Sequence, residues 1–186
     1  MASSTSPESK PGASAAPELE ARLEPPLEPR IVELATIAEQ SQAINDLIAL
    51  ARQHIRVFDH DLSQTGWNDA ARVELLAAFL RETRGRRLDI IVHDTRYLEA
   101  NCPRMQNLLR GYSHAITVYK TGPGARIATD PLLIIDGRHY LHRFHFEQPR
   151  AAMGINQPER TQPLANRFDE IWATGESVAA GSVLGL

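Results

Sequence analysis

The chain has 186 residues, of which 42% are hydrophobic and 23% charged, which is the size and composition of one globular domain with some additional chain. The formal net charge is −3 at pH 7. Because the chain has no excess of positive charge to attract a polyanion, we do not expect nucleic acid to be its ligand. The single cysteine, Cys102, has no partner for an intramolecular disulfide or a structural zinc site, which is typical of a reducing compartment.

Both ends of the chain differ in composition from its middle. Residues 1–30 are rich in Pro, Ala and Ser and contain no aromatic residue, so we predict a disordered leader that cannot bury enough apolar surface to fold. Residues 177–186 are predicted to be a flexible tail. The N-terminus has no signal-peptide pattern, and no run of about 20 apolar residues is long enough for a membrane span. We therefore expect a cytoplasmic protein with one domain at residues 31–176.

The first half of that domain alternates between helical and strand-like hydrophobic patterns. Apolar residues recur at helical spacing between residues 44 and 51, and residues 54–58 form a short strand-like run. A helix with apolar positions from 73 to 80 begins after Asn68 or Asp69, which are residue types that cap helices. A second buried strand follows at residues 88–92. Two strands joined by a helix predict a βαβ unit with parallel strands.

The second half adds a helix at residues 104–110, a strand at 115–119 and a hairpin. Asp136 and Gly137 separate two strand-like runs, and an Asp-Gly pair in that position is a strong hairpin signal. A last helix is predicted at residues 163–174. The expected fold class is therefore α/β, with a mixed, largely parallel sheet flanked by helices.

Polar residues that can carry chemistry follow the predicted strands. Asp59, His60 and Asp61 end the first central strand, while His93 and Asp94 end the second. The carboxyl ends of parallel strands meet at one edge of a sheet, where open α/β folds bind ligands.

Three histidines follow the hairpin turn. Alternation along the last strand places His139 and His145 on one face and His142 on the other. At most some of these histidines can therefore face one site.

Three interpretations of the polar residues at the strand ends stay open. They could hold a divalent metal ion, although no HExxH or similar spacing is present. A histidine with a neighbouring carboxylate could act as an acid, a base or a nucleophile. The same residues could also be structural, capping loops and finishing the sheet. We predict no metal and no cofactor.

The order of elements resembles one half of a phospholipase D-type domain. The resemblance covers residues 35–175 and rests on the strand at 55–58, the Arg84-Gly85-Arg86-Arg87 segment before the next strand, the hairpin at Asp136-Gly137, and Phe168 and Trp172 in the last helix. The segments 58–68 and 140–147 are also similar to an uncharacterised proteobacterial family of phospholipase D-like domains.

This resemblance implies an HxKxxxxD motif, which is altered here. If Asp136 is the aspartate of the motif, Thr129 takes the place of the histidine and Pro131 that of the lysine. The family's mechanism needs an imidazole that attacks phosphorus and a lysine that stabilises the phosphate oxygens, and neither threonine nor proline supplies these groups.

The sequence therefore predicts a phospholipase D-like domain without the usual phosphodiesterase activity, acting as a binding or interaction module. Two such half-domains normally pair, so a homodimer is expected, with a protein or a phosphate-containing molecule as ligand. Positive charge would have to come from arginines such as Arg126. The candidate binding residues are Arg138, Arg143, His145 and Trp67. The alternative is an active phosphodiesterase or metal-dependent hydrolase that uses Asp59, His60, Asp61, His93, Asp94 and His142.

Overall fold

The computed structural model describes Met1 and residues 27–177, so most of the predicted leader and tail lies outside the described residues. The strands are β1 (Arg30–Leu34), β2 (His54–Asp59), β3 (Arg87–Val92), β4 (Ile116–Lys120), β5 (Leu132–Ile135), β6 (His139–Arg143), β7 (Ala151–Ile155) and β8 (Glu176–Ser177). The helices are α1 (Ile37–Leu50), α2 (Ala70–Glu82), α3 (Arg96–Asn101), α4 (Pro103–Gly111) and α5 (Pro158–Trp172). Within this part of the chain, the strands form one eight-stranded sheet in the order β1-β7-β6-β5-β2-β3-β4-β8.

The predicted α/β class is confirmed, but the sheet is not largely parallel. Among the described strands, only β2–β3 and β3–β4 pair in parallel, and the other five pairings are antiparallel. The reason lies in the connections. Helices cross over between β2, β3 and β4, whereas β5, β6 and β7 follow each other through short links that make neighbours antiparallel.

The predicted hairpin turn joins β5 to β6. Asp136 and Gly137 are the central residues of a turn closed by the bond from the backbone N–H of Arg138 to the carbonyl oxygen of Ile135, at 3.0 Å. Both have positive φ, 52° and 67°, which is the left-handed region that a turn of this hand requires. Both residue types tolerate that region, so the sequence and the turn agree.

Several elements differ from the sequence prediction. Helix α3 and strand β7 were not predicted, and α5 begins at Pro158 rather than at Pro163. The residues of β7 are Ala-Ala-Met-Gly-Ile, a composition with little β propensity. Its Gly154 is required by packing, because a Cβ there would lie 2.1 Å from the ring of Tyr140 on β6.

Two apolar clusters hold the layers together. The larger one packs one face of the sheet against α1, α2 and α4, and the smaller one packs the other face against α5. The smaller cluster includes Phe58 of β2 and Phe168 of α5. Burial of both faces explains the nearly continuous apolar runs in β3 and β5.

The loop between β2 and α2 is anchored by a fully buried arginine, Arg72. Its guanidinium donates to the carbonyl oxygens of Thr65 and Ser41 and to the side-chain oxygen of Asn45. It also lies 5.2 Å from the ring centroid of Trp67. Burial lowers the pKa of Arg72 to about 10, an effect that the nearby Asp69 opposes. This arginine therefore ties the loop to α1.

Candidate functional site

The strand register brings the polar strand ends together. Leu132, at the start of β5, pairs with Phe58 of β2 and with His142 of β6. Since β2 and β6 are both antiparallel to β5, they run in the same direction and end at the same edge as β3. We call this edge, with the residues that follow β2, β3, β4 and β6 and precede β5, the carboxyl edge.

His60 and His93 meet at the carboxyl edge, as the sequence predicts. Their ring centroids are 5.7 Å apart, with the rings edge to face. The backbone N–H groups of His93 and Asp94 both donate to the carbonyl oxygen of His60, at 2.9 Å and 3.0 Å. The two strand ends are therefore joined through their backbones.

Both ring nitrogens of His93 are already hydrogen-bonded. Nε2 lies 2.7 Å from the carbonyl oxygen of Ala128, and Nδ1 lies 2.6 Å from the hydroxyl of Thr121. A carbonyl oxygen can only accept, so Nε2 carries a proton. Burial lowers the pKa of His93, and the charges of His60 and Arg126 lower it further, against the hydrogen bond to Ala128. His93 is therefore held as a neutral bridge between β3 and the segment before β5.

His60 is held by ring stacking instead. Its ring stacks on Phe146 at 4.5 Å, and Phe146 stacks on His145 at 5.0 Å. Nδ1 of His60 is buried and has no hydrogen-bond partner within residues 27–177. Among the predicted catalytic histidines that the structure describes, His60 is therefore the one with a buried ring nitrogen that lacks a partner.

Asp59 and Arg143, the last residues of β2 and β6, lie close enough for their charges to interact. A carboxylate oxygen of Asp59 accepts from the backbone N–H of His60 at 2.6 Å. Desolvation raises the pKa of half-buried Asp59 to about 6, with a further rise from Asp61, while the hydrogen bond to His60 and the charges of Arg143 and His60 act the other way.

Arg143 is 3% exposed. It donates to the carbonyl oxygen of Gln148 and to Oε1 of Gln64, both at 2.7 Å. Burial lowers the pKa of its guanidinium, and Asp59 opposes that shift. The sequence predicts that Arg143 binds a ligand, but its burial and its protein partners show that it supports the edge.

The other two carboxylates at the carboxyl edge hold local turns. Asp61 accepts from the backbone N–H and the hydroxyl of Ser63, at 3.0 Å and 2.7 Å. Asp94 accepts from the guanidinium and the backbone N–H of Arg96, and these bonds lower the pKa of Asp94 to about 2. Both oxygens of Asp94 are therefore engaged by Arg96, whereas Asp61 uses one oxygen, Oδ1, for its turn.

His142 faces α5 rather than the histidine pair. Its Nε2 lies 3.3 Å from a carboxylate oxygen of Asp130, which also forms an ion pair with Arg167. Burial raises the pKa of Asp130, but hydrogen bonds from His142 and Arg167 outweigh that effect and lower the pKa to about 2. Through Asp130, His142 therefore helps to attach α5 to the sheet.

Two of the three positions that correspond to the HxKxxxxD motif lie at the carboxyl edge, and the third lies at the opposite edge. The carbonyl oxygens of Thr129 and Pro131 accept from Phe146 and Arg143 at the carboxyl edge. Asp136 lies at the opposite edge, in the β5–β6 turn.

Two further predicted binding residues are not available to a ligand at the carboxyl edge. Trp67 is buried at 2% exposure, so its ring cannot contact a partner. Arg138 lies in the β5–β6 turn at the opposite edge, because the turn reverses the chain there. Neither Trp67 nor Arg138 is therefore a candidate for binding a ligand at the carboxyl edge, whereas the partially exposed His145 is.

Several residues of the site were not predicted. Thr121 and the carbonyl of Ala128 bond His93, and Phe146 connects His60 to His145. The sequence does contain a signal for these ring contacts, because three residues with ring side chains, Phe144, His145 and Phe146, directly follow a strand.

The described residues hold no group of three or more His, Cys, Asp or Glu side chains arranged for a metal ion. Within the same part of the chain, no helix combines the length and apolar composition that crossing a membrane requires.

Replacement of Asp59 by Asn is expected to stabilise the domain at pH 7.5. A raised pKa in the folded state means that the protonated form favours folding, so stability is lost as pH rises from about 4 through 6. The gain at pH 7.5 is about 1 kcal/mol after allowance for solvent screening, or about 2–4 °C in Tm. At pH 4 the variant and the parent should melt together. Thermal unfolding followed by circular dichroism at both pH values measures the difference.

The matched control is Asp94→Asn, a carboxylate at the same edge with a lowered pKa. It should lower Tm at pH 7.5. If both variants shifted Tm in the same direction, the assigned environment of Asp59 would be incorrect.

The fold is similar to that of solved phospholipase D family structures. The phospholipase D family member Nuc from Salmonella typhimurium is 16% identical, with a TM-score of 0.59 over 81% of this chain and 98% of that one. NucT from Helicobacter pylori is 14% identical, with a TM-score of 0.52 over 81% and 99%. These identities show the shared fold alone.

A third similar structure is TrmBL2, described as an archaeal chromatin protein with a novel mode of DNA binding. It is 13% identical with a TM-score of 0.61, and the match covers 85% of this chain and 57% of that one. The chain therefore spans just over half of TrmBL2.

By sequence, the chain belongs to the family defined by the domain of unknown function DUF7931, whose model matches residues 36–180. No curated protein matches the chain.

Proposed function

We propose that this domain binds a phosphate-bearing ligand at its carboxyl edge without hydrolysing it. The observation that carries the proposal is the state of His93, the imidazole beside the segment 128–129, whose two ring nitrogens are both engaged by the protein. A nucleophile needs a free nitrogen that can reach phosphorus. The occurrence of Thr129 and Pro131 at the motif positions supports the same conclusion.

The exposed positive charge at this edge favours an anionic ligand. Arg126 is exposed and close enough to His93 to lower its pKa, and Lys120 acts on Asp94 in the same way. A phosphate near Arg126 would also be near His93, whose ring centroid is 5.7 Å from that of His60.

The alternative proposal is an active phosphodiesterase that uses a different nucleophile. It is favoured by His60, whose Nδ1 has no partner in the described chain, and by the neighbouring Asp59 with its raised pKa. Against it stands the burial of that nitrogen and of the nearby cation, Arg143.

Hydrolysis is tested with bis(4-nitrophenyl) phosphate, with and without Mg²⁺ or Mn²⁺. We expect no release of 4-nitrophenol above the buffer rate. Turnover that disappears in His60→Ala, His93→Ala or His142→Ala would establish the alternative instead.

Binding is tested by calorimetric titration with inorganic phosphate and with a 12-mer of thymidylate. Arg126→Ala should weaken binding about fivefold, which corresponds to ~1 kcal/mol. The control is Arg138→Ala, since Arg138 is an equally exposed arginine at the opposite edge and its loss should leave the affinity unchanged. Equal losses in both variants would mean that only overall charge matters. The oligonucleotide is included because a DNA-binding protein shares the fold, although the net charge of −3 argues against a polyanion.

We also propose that the chain forms a homodimer, because two half-domains normally pair in the family that the sequence resembles. Sedimentation of the full chain tests it, and a monomer at all concentrations would contradict it.

A further inference from the structure

A small cavity lies beneath the carboxyl edge, between α1, the β2–α2 loop and strands β5 and β6. Its volume is about 20 Å³, which is enough for one water molecule and too little for a larger ligand. Most of its lining is apolar. Its polar lining residues are Gln40, Asp59, Thr65, Trp67 and Arg143.

Three buried polar atoms without a protein partner belong to residues that line this cavity. They are Oε1 of Gln40, Oγ1 of Thr65 and Nε1 of Trp67. Two further atoms of this kind occur in the described chain, on His60 and Arg86, and neither residue lines the cavity. Buried polar groups are rarely left unsatisfied, so three of them around one space call for a common partner.

The three atoms provide the donors and acceptors that one water needs. The indole N–H of Trp67 can only donate. The amide of Gln40 is oriented by the bond from its Nε2 to the carbonyl oxygen of Pro149, at 2.7 Å, so its Oε1 is an acceptor. The Thr65 hydroxyl can serve in either role. Three hydrogen bonds are the usual number for a buried water.

We propose that one ordered water molecule occupies this cavity and bonds Trp67, Gln40 and Thr65. The water links α1 to the β2–α2 loop, directly beneath the edge that carries Asp59. A cation cannot take the place of the water, because the indole N–H of Trp67 needs an acceptor and a cation provides none. The inference does not depend on the proposed function.

The test is Thr65→Val, which removes the hydroxyl and keeps the shape of the side chain. If the water is bound, the variant loses a hydrogen bond, and Tm should fall by about 2–4 °C. If the cavity is dry, the variant removes an unsatisfied group, and Tm should stay the same or rise. The two states therefore predict opposite signs.

The control is Thr161→Val, because Thr161 is also fully buried and its hydroxyl donates to the carbonyl oxygen of Gln157 at 2.8 Å. The fall in Tm of Thr161→Val shows how much the loss of one buried hydrogen bond costs in this domain, and the effect of Thr65→Val is compared with it. A crystal structure of the full chain should show density for one water within hydrogen-bond distance of the three atoms. Absence of that density, or a Thr65→Val variant as stable as the parent, would overturn the proposal.

Discussion

Replacement of Arg72 by Met should destabilise the domain by about 3–5 kcal/mol. The guanidinium is fully buried and bonds the β2–α2 loop and α1 through Thr65, Ser41 and Asn45. Methionine fills much of the same volume but leaves these acceptors without a donor. It also removes the contact of the cation with the ring of Trp67. Urea unfolding monitored by tryptophan fluorescence gives the free energy of unfolding directly.

The control is Arg81→Met on the same helix, where the arginine is exposed and its side chain bonds only the helix backbone within the described contacts. Its effect should stay within about 0.5 kcal/mol. Arg72→Lys should resemble Arg72→Met, because an ammonium cannot reach three divergent acceptors from one position. A small effect of both Arg72 variants would show that other contacts, among them the bond from the Ser41 hydroxyl to the carbonyl oxygen of Thr65, are enough to hold the loop.

Loss of the Arg72 guanidinium should also loosen the carboxyl edge, because the loop that Arg72 anchors begins with His60 and Asp61. Hydrogen exchange in Arg72→Met should therefore increase at residues 60–69 before it increases in β3 or β5. This separates local release of the loop from global unfolding.

Local chemistry made some parts of the fold predictable. The Asp136-Gly137 turn follows from the backbone conformations that these two residues tolerate. Helix α2 starts after Asp69, as predicted, but not through the predicted cap. The side chain of Asp69 makes no cap hydrogen bond, and the side-chain oxygen of Asn68 accepts from the backbone N–H of Arg104 at the start of α4. Such features depend on a few neighbouring residues.

Pairing between distant segments was not predictable in the same way. The sequence favoured a largely parallel sheet because it shows βαβ patterns at β2–β4, but it does not show that β7 pairs with β6 and β1. The Ala- and Gly-rich β7 is stabilised by its two neighbours and by the ring of Tyr140, not by its own propensity.

For the candidate site, too, features that depend on neighbouring residues were predictable and features that depend on distant residues were not. Strand ends place His60 and His93 at one edge, and this was predicted from order alone. The bonds that decide their chemistry are long-range, because His93 bonds Thr121 and Ala128, 28 and 35 residues away. The burial of Arg143 and Trp67 also depends on tertiary packing, so residues chosen for their chemistry proved to be structural.

Replacement of Asp136 by Ala is expected to cost about 3–4 kcal/mol. The carboxylate accepts from the backbone N–H groups of Arg52, Gln53 and His54, at 2.7, 2.9 and 2.7 Å. Alanine removes all three bonds and must also adopt a positive φ of 52°. Asp136→Asn keeps an acceptor and tolerates that φ, so its cost should be about half as large. Urea unfolding of both variants beside the parent gives the two values.

The order of these two variants identifies what Asp136 does. If the aspartate remained from a catalytic motif and acted only on a ligand, both substitutions would leave stability unchanged, as Arg138→Ala in the same turn should. A loss of stability that is larger for Ala than for Asn instead assigns the residue to the junction between α1, β2 and the hairpin. The aspartate can then be required by the fold in a chain where Thr129 and Pro131 have replaced the groups that phosphoryl chemistry needs. Retention of one motif position therefore gives no support for retained hydrolysis.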